Sequence, residues 1–179
     1  MFKRVLSIFL TSVFSAFLFG CSPYVTWQEE VKLNDGRVIV VEQKKRIGGL
    51  MAREAWLTIK LPEFGVQPIV WHESLDPLVV NISEGKLYVV GYPPSVVEYN
   101  HYERPNPCYV GFVWENEKWN RISFEDIPIQ IYKTNMLIDS FAPKGTILLT
   151  LDRKNSHDMN GDGRLPNSLR GIEPKFTCN

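Results

Sequence analysis

The segment Asp158-Met159-Asn160-Gly161-Asp162-Gly163 sets three oxygen-bearing side chains at alternate positions ahead of a glycine. Hard cations such as calcium are held by this arrangement, with carboxylate and amide oxygens as ligands and a glycine allowing the sharp turn. A full loop of that kind also needs a backbone carbonyl at its seventh position and a bidentate acid at its twelfth. Arg164 falls at the seventh, but Pro166 occupies the ninth and Leu169, which has no ligand atom, the twelfth. Glu173 lies four residues too far along. The failed second half favours a polar turn held by Asx hydrogen bonds. The alternative is a weak calcium site formed by Asp158, Asn160 and Asp162 in millimolar surroundings.

No other pattern points to catalysis. His72, His101 and His157 lie in separate segments without motif spacing. In Trp71-His72-Glu73 the acid adjoins the imidazole, yet neighbours on a strand point to opposite faces and form no catalytic pair. The chain has no G-x-S-x-G elbow, H-E-x-x-H, C-x-x-C or phosphate-binding glycine loop. Acid pairs such as Glu125-Asp126 are common at turns and do not by themselves argue for a glycosidase. The expectation is a protein that is not an enzyme and needs no cofactor beyond that weak calcium.

The N-terminus carries an address. Lys3 and Arg4 precede an apolar stretch, Val5 to Phe19, broken only by Ser and Thr. It is shorter than the roughly 20 apolar residues a membrane-spanning helix needs, and it has the layout of a secretory signal. Leu18-Phe19-Gly20-Cys21 resembles the lipobox of bacterial lipoproteins. That resemblance implies cleavage of residues 1–20, acylation of Cys21 by palmitate-type chains and a short linker over residues 21–23. Ser22 after the cysteine implies, by the same resemblance, the outer membrane rather than the inner; the periplasmic face is expected over the cell exterior, a choice Ser22 does not make. The alternative is an ordinary secreted protein with Cys21 as a plain thiol or disulfide partner.

Cys21, Cys108 and Cys178 are an odd number for an exported chain. Lipidation of Cys21 leaves Cys108 and Cys178 to form a disulfide in an oxidising compartment. Closing a loop of about 70 residues restricts the unfolded chain by roughly 4 kcal/mol in the chain-entropy description.

The 20 basic and 20 acidic residues become 18 and 20 when residues 1–20, with Lys3 and Arg4, are removed, a formal charge of −2. Nucleic acid is not an expected partner, because its binding calls for a concentrated basic surface. Lys44-Lys45-Arg46 is the nearest approach, and it reads as a solvated loop. Since IGGLM follows, contact with anionic headgroups is the alternative.

Residues 24–179 suit one domain, and the patterns within it are those of strands. Glu54 to Leu61 alternates, with Ala55, Leu57, Ile59 and Leu61 on one side. Hairpins are predicted around Asn34-Asp35-Gly36, Ser83-Glu84-Gly85 and Glu115-Asn116-Glu117-Lys118, the last with Trp114 and Trp119 meeting across the turn. A late strand is predicted over Lys144 to Asp152. The fold class expected is mainly β, an antiparallel sandwich or barrel-like single domain with little helix.

Trp56 shares the polar side of its strand with Glu54, Thr58 and Lys60, and a tryptophan outside a core often marks an interface. Trp56, Trp71, Tyr88 and Tyr92 are the candidates for a surface row facing a protein or polymer; the bland alternative is that these aromatics fill the core. The segment YVGFVWENEKWNRISFEDIP also resembles uncharacterised bacterial lipoproteins, a likeness that implies no activity. The functional expectation is a lipid-anchored envelope module that binds or supports an unknown envelope protein or polymer, with a calcium- or small-ligand-binding lipoprotein as the alternative.

Overall fold

The computed structural model describes residues 24–48, 51–137, 141–155 and 171–178. Strands β1 (Tyr24–Lys32), β2 (Val38–Gly48), β3 (Met51–Ile59) and β4 (Ile69–Glu73) pair antiparallel in sequence order. The turn between β1 and β2 closes through Leu33 N–H donating to the Arg37 carbonyl at 2.8 Å, with Gly36 at φ 88°, where a side chain is disfavoured.

A second sheet follows: β5 (Asp76–Ser83), β6 (Lys86–Tyr92), β7 (Val110–Glu115) and β8 (Lys118–Ile122), again antiparallel in order. A short helix, α1 (Val96–His101), lies between β6 and β7. Glu84 and Gly85 have φ of 50° and 74°, and Asn116 and Glu117 have 53° and 59°. Positive φ at both central residues matches the right-handed twist of the strands that each turn joins. All three predicted hairpins are therefore present, and Trp114 and Trp119 meet at 5.3 Å.

The two sheets remain separate and neither closes, so sandwich rather than barrel describes the mainly β fold. Between them lies the main core, with Val31, Val41, Leu57, Ile59 and Trp71 from the first sheet against Val80, Leu87, Val89 and Phe112 from the second. Burying one such side chain stabilises the fold by about 1.5–3 kcal/mol. The period-two reading of Glu54 to Leu61 holds: Ala55, Leu57, Ile59 and Leu61 are all buried.

The second sheet is buried on both faces. Its far face carries Leu78, Tyr88, Val90 and Val113, covered by Ile127, Ile131 and Ile172 from segments after β8. Asn135 seals the edge of β5: its side chain accepts from Val80 N–H at 3.0 Å and donates to the Val80 carbonyl at 2.8 Å.

Two expectations need correction. The late strand shortens to β9 (Leu148–Leu149), which runs parallel to β1, and the chain then turns into α2 (Leu151–Asn155). The strand stops because Glu30 accepts from Leu151 N–H at 2.9 Å and Thr150 Oγ1 accepts from Arg153 N–H at 3.3 Å, so side-chain oxygens take the donors of a helical first turn. Lys44-Lys45-Arg46 is no solvated loop. It lies inside β2, whose alternation turns Lys45 into the interior, where it is 1% exposed.

Candidate functional site

Among the described residues the outer face of the first sheet has no second sheet over it, and the strand register brings Lys44, Trp56 and His72 side by side across β2, β3 and β4. The His72 ring stacks on Trp56, with centroids 4.2 Å apart and planes 13° from parallel. On the other side Tyr24 meets Trp56 edge-on at 5.8 Å. The Lys44 ammonium bridges the two, 4.5 Å from the Tyr24 centroid and 5.1 Å from that of Trp56. Cation–π attraction of this kind contributes about 0.5–1 kcal/mol at exposed sites and holds the rings in place. Arg46 and Glu54 extend the row by a two-bond ion pair, at 3.1 and 3.0 Å. The result is a flat, fixed strip of aromatic rings and charged groups on the outer face of the sheet, suited to stacking and charge contacts, with His72 Nε2 3.9 Å from the Glu54 carboxylate.

The opposite face of the same strands holds a second cluster, which the sequence reading missed. Glu29 is fully buried and accepts four hydrogen bonds: from Trp27 Nε1 at 3.0 Å, Gln43 Nε2 at 2.9 Å, Leu137 N–H at 3.0 Å and Lys154 Nζ at 3.3 Å. Lys154 also donates to the Asn135 carbonyl at 2.8 Å. Beside them Lys45 Nζ lies 2.7 Å from Asp76 Oδ1, both side chains almost wholly buried. Charges out of water persist only when compensated: Glu29 and Lys154 are both paired and hydrogen-bonded, whereas Lys45 and Asp76 are held as an ion pair, with Asp76 Oδ1 making no hydrogen bond of good geometry. The signal was present in the alternation: Glu29 falls in phase with Trp27 and Val31, and Gln43 and Lys45 in phase with Val41.

A third polar contact ties α1 to the sandwich. Tyr102 Oη donates to Glu73 at 2.7 Å and accepts from Ser74 N–H at 3.1 Å. Burial first, and the Glu73 carboxylate second, push the phenol above its usual range. Since the folded value exceeds the unfolded 10.0, this contribution is complete below about pH 10 and is lost as pH rises through the folded value. Tyr102→Phe is expected to cost about 1 kcal/mol at neutral pH and to flatten the alkaline fall in stability, as measured by urea denaturation between pH 8 and 11.

The residues singled out from sequence separate into distinct places. Trp56 stands on the outer face with partners the sequence did not suggest, Tyr24 and His72. Trp71 does not join it, being 0% exposed in the main core; its strand alternates, and His72 takes the outward position. Tyr88 lies on the far face of the second sheet, 8% exposed, and half-buried Tyr92 packs on the same cluster. The four therefore form no common row, because they belong to different sheets and faces. Cys108 and Cys178 lie within disulfide distance, with Cα atoms 5.4 Å apart. Cys21, Asp158, Asn160 and Asp162 lie outside the described residues. Among the described residues no three His, Cys, Asp or Glu side chains are grouped to hold a metal ion. Comparison with known protein families, with curated proteins and with solved structures finds no match to this chain.

Proposed function

We propose that the protein is a lipid-anchored module of the bacterial cell envelope, without catalytic activity, that presents the outer face of its first sheet to an envelope protein or polymer. The observation that carries this reading is the fixed strip of Tyr24, Lys44, Trp56 and His72 on an uncovered sheet face. Tyr24 follows the lipobox cysteine by three residues. At about 3.3–3.6 Å per extended residue the strip begins within roughly 10 Å of the acylated position. A binding face at that height works against the membrane or against whatever lies beside it, and the outer membrane is the location that Ser22 suggests.

The test joins two measurements. Intact mass of protein extracted from its native membrane is expected to equal residues 21–179 plus acyl chains. In-cell photo-cross-linking from position 26, the register neighbour of Lys44, is expected to give one recurrent envelope adduct that disappears in Trp56→Ala. An unlipidated mass, or adducts indifferent to Trp56, overturns the reading. The calcium alternative rests on Asp158, Asn160 and Asp162 alone. It requires a rise in melting temperature in millimolar calcium that Asp158→Ala with Asp162→Ala abolishes.

A further inference from the structure

We propose that the cavity between the start of β1 and residues 141–146 shelters one of the acyl chains carried on Cys21, an inference that rests on the lipid-anchor reading. The cavity measures about 460 Å³, within the ~300–1,000 Å³ of pockets that enclose small apolar ligands. Its walls include Val25, Trp27, Phe141, Ala142 and Pro143, with Lys144 as the one charged side chain among them. Four of those residues pack in a single apolar cluster with Leu137 and Leu149. An uncharged methylene chain suits the apolar part of such walls, because each methylene removed from water is favourable, while Thr26, Lys144 and Thr146 supply the polar part of the lining.

The wall is braced from behind. The Trp27 indole N–H donates to buried Glu29 at 3.0 Å, and the Lys45 ammonium lies 5.7 Å from the Trp27 ring centroid and 6.0 Å from that of Phe141. Both rings thus have fixed neighbours in the buried charge cluster. Tyr24, a wall residue, is 38% exposed, and Ile147, which follows the wall residue Thr146 in the chain, is 81% exposed. Gln28 N–H donates to the Ile147 carbonyl at 2.8 Å, which holds the end of the 141–146 segment beside β1.

The occupant follows from where the described chain begins. Tyr24 is itself a wall residue, and the three-residue tether to Cys21 reaches about 10 Å. A chain attached at that distance is presented at high effective concentration, and tethering alone favours it over a free lipid. There is a consequence for anchoring. One acyl chain gives only marginal, reversible membrane binding, and stable anchoring takes more than one signal. Withdrawing a chain into the cavity therefore loosens the hold on the bilayer.

The experiment uses full-length protein exported in bacteria fed a diazirine-bearing fatty acid, then purified, irradiated and digested. Intact mass is read first. If it shows no acyl chain, the lipid-anchor reading fails and this proposal fails with it. If the protein is acylated, the expected result is an intramolecular cross-link joining the Cys21 peptide to peptides containing Val25–Trp27 or Phe141–Thr146. Ala142→Trp and Val25→Trp, each filling the cavity, are expected to lose most of that cross-link while melting cooperatively. Three outcomes overturn the proposal with the anchor reading intact: acylated protein without the cross-link, a cross-link to free fatty acid rather than to the Cys21 peptide, or a cross-link that survives in a filling variant that still folds.

Discussion

Replacing Glu29 with leucine is expected to destabilise the protein by about 3–5 kcal/mol, because the change removes the carboxylate paired with buried Lys154 and leaves only the weaker field of Glu30. Lys154 is 6% exposed and its remaining donor contact is the Asn135 carbonyl. Trp27, Gln43 and Leu137 lose their acceptor at the same time, and an unmet buried donor costs about 1–3 kcal/mol. Urea denaturation measures the loss. The double change Glu29→Leu with Lys154→Met is expected to recover most of it, since it removes both charges together. A single change as mild as the double would show that the pair is not coupled. The pH dependence supplies a second reading. Burial holds the Lys154 ammonium below the usual lysine range, with Glu29 opposing the shift. Between that lowered value and the unfolded 10.5, the unfolded chain binds a proton that the folded chain lacks, so stability rises with pH in that window. Lys154→Met should remove the rise.

Breaking the link between Cys108 and Cys178 is expected to cost about 4 kcal/mol, the chain-entropy loss for a loop of this size, at a sequence separation of 70. For a domain of this length that corresponds to a fall in melting temperature of roughly 10–15 °C. Cys108→Ala with Cys178→Ala should reproduce the effect of a reductant, and reductant should then add nothing. The loss should be local first. Cys108 N–H donates to the Phe176 carbonyl at 2.9 Å, and Glu173 N–H to Tyr109 Oη at 3.2 Å. Those two contacts and Ile172 hold the C-terminal segment on the far face of the second sheet. Hydrogen exchange at residues 171–178 should therefore rise before exchange in β6 or β7. Equal stability with and without reductant would mean that the cysteines are not bonded.

Period-two alternation made β3 legible, since Ala55, Leu57 and Ile59 repeat without interruption and local sterics alone set the side each takes. Turn chemistry made the hairpins legible for the same local reason: positive φ at Gly36, Glu84 and Asn116 is decided within a few residues. The reading failed where a distant group decided. Lys144 to Asp152 has strand composition, yet the carboxylate of Glu30, 121 positions away, takes the Leu151 N–H, and the last two residues of the segment, Leu151 and Asp152, open α2 instead.

The candidate surfaces divide along the same line. From the sequence alone came a mainly β body and the outward placement of Trp56, together with two expectations, an export address at Cys21 and the pairing of Cys108 with Cys178. These depend on composition, on counting and on a period of two, all of which survive without knowledge of what packs where. Tertiary structure alone decided that the body is an open sandwich, that Trp71 is core, and that Tyr24 and His72 flank Trp56. It also decided that Glu29, Lys45, Asp76 and Lys154 meet in the interior. Alternation tells which side of a strand a residue takes; which side becomes the interior, and which charges find partners there, depends on contacts between residues as far apart as Glu29 and Lys154, a separation of 125 positions.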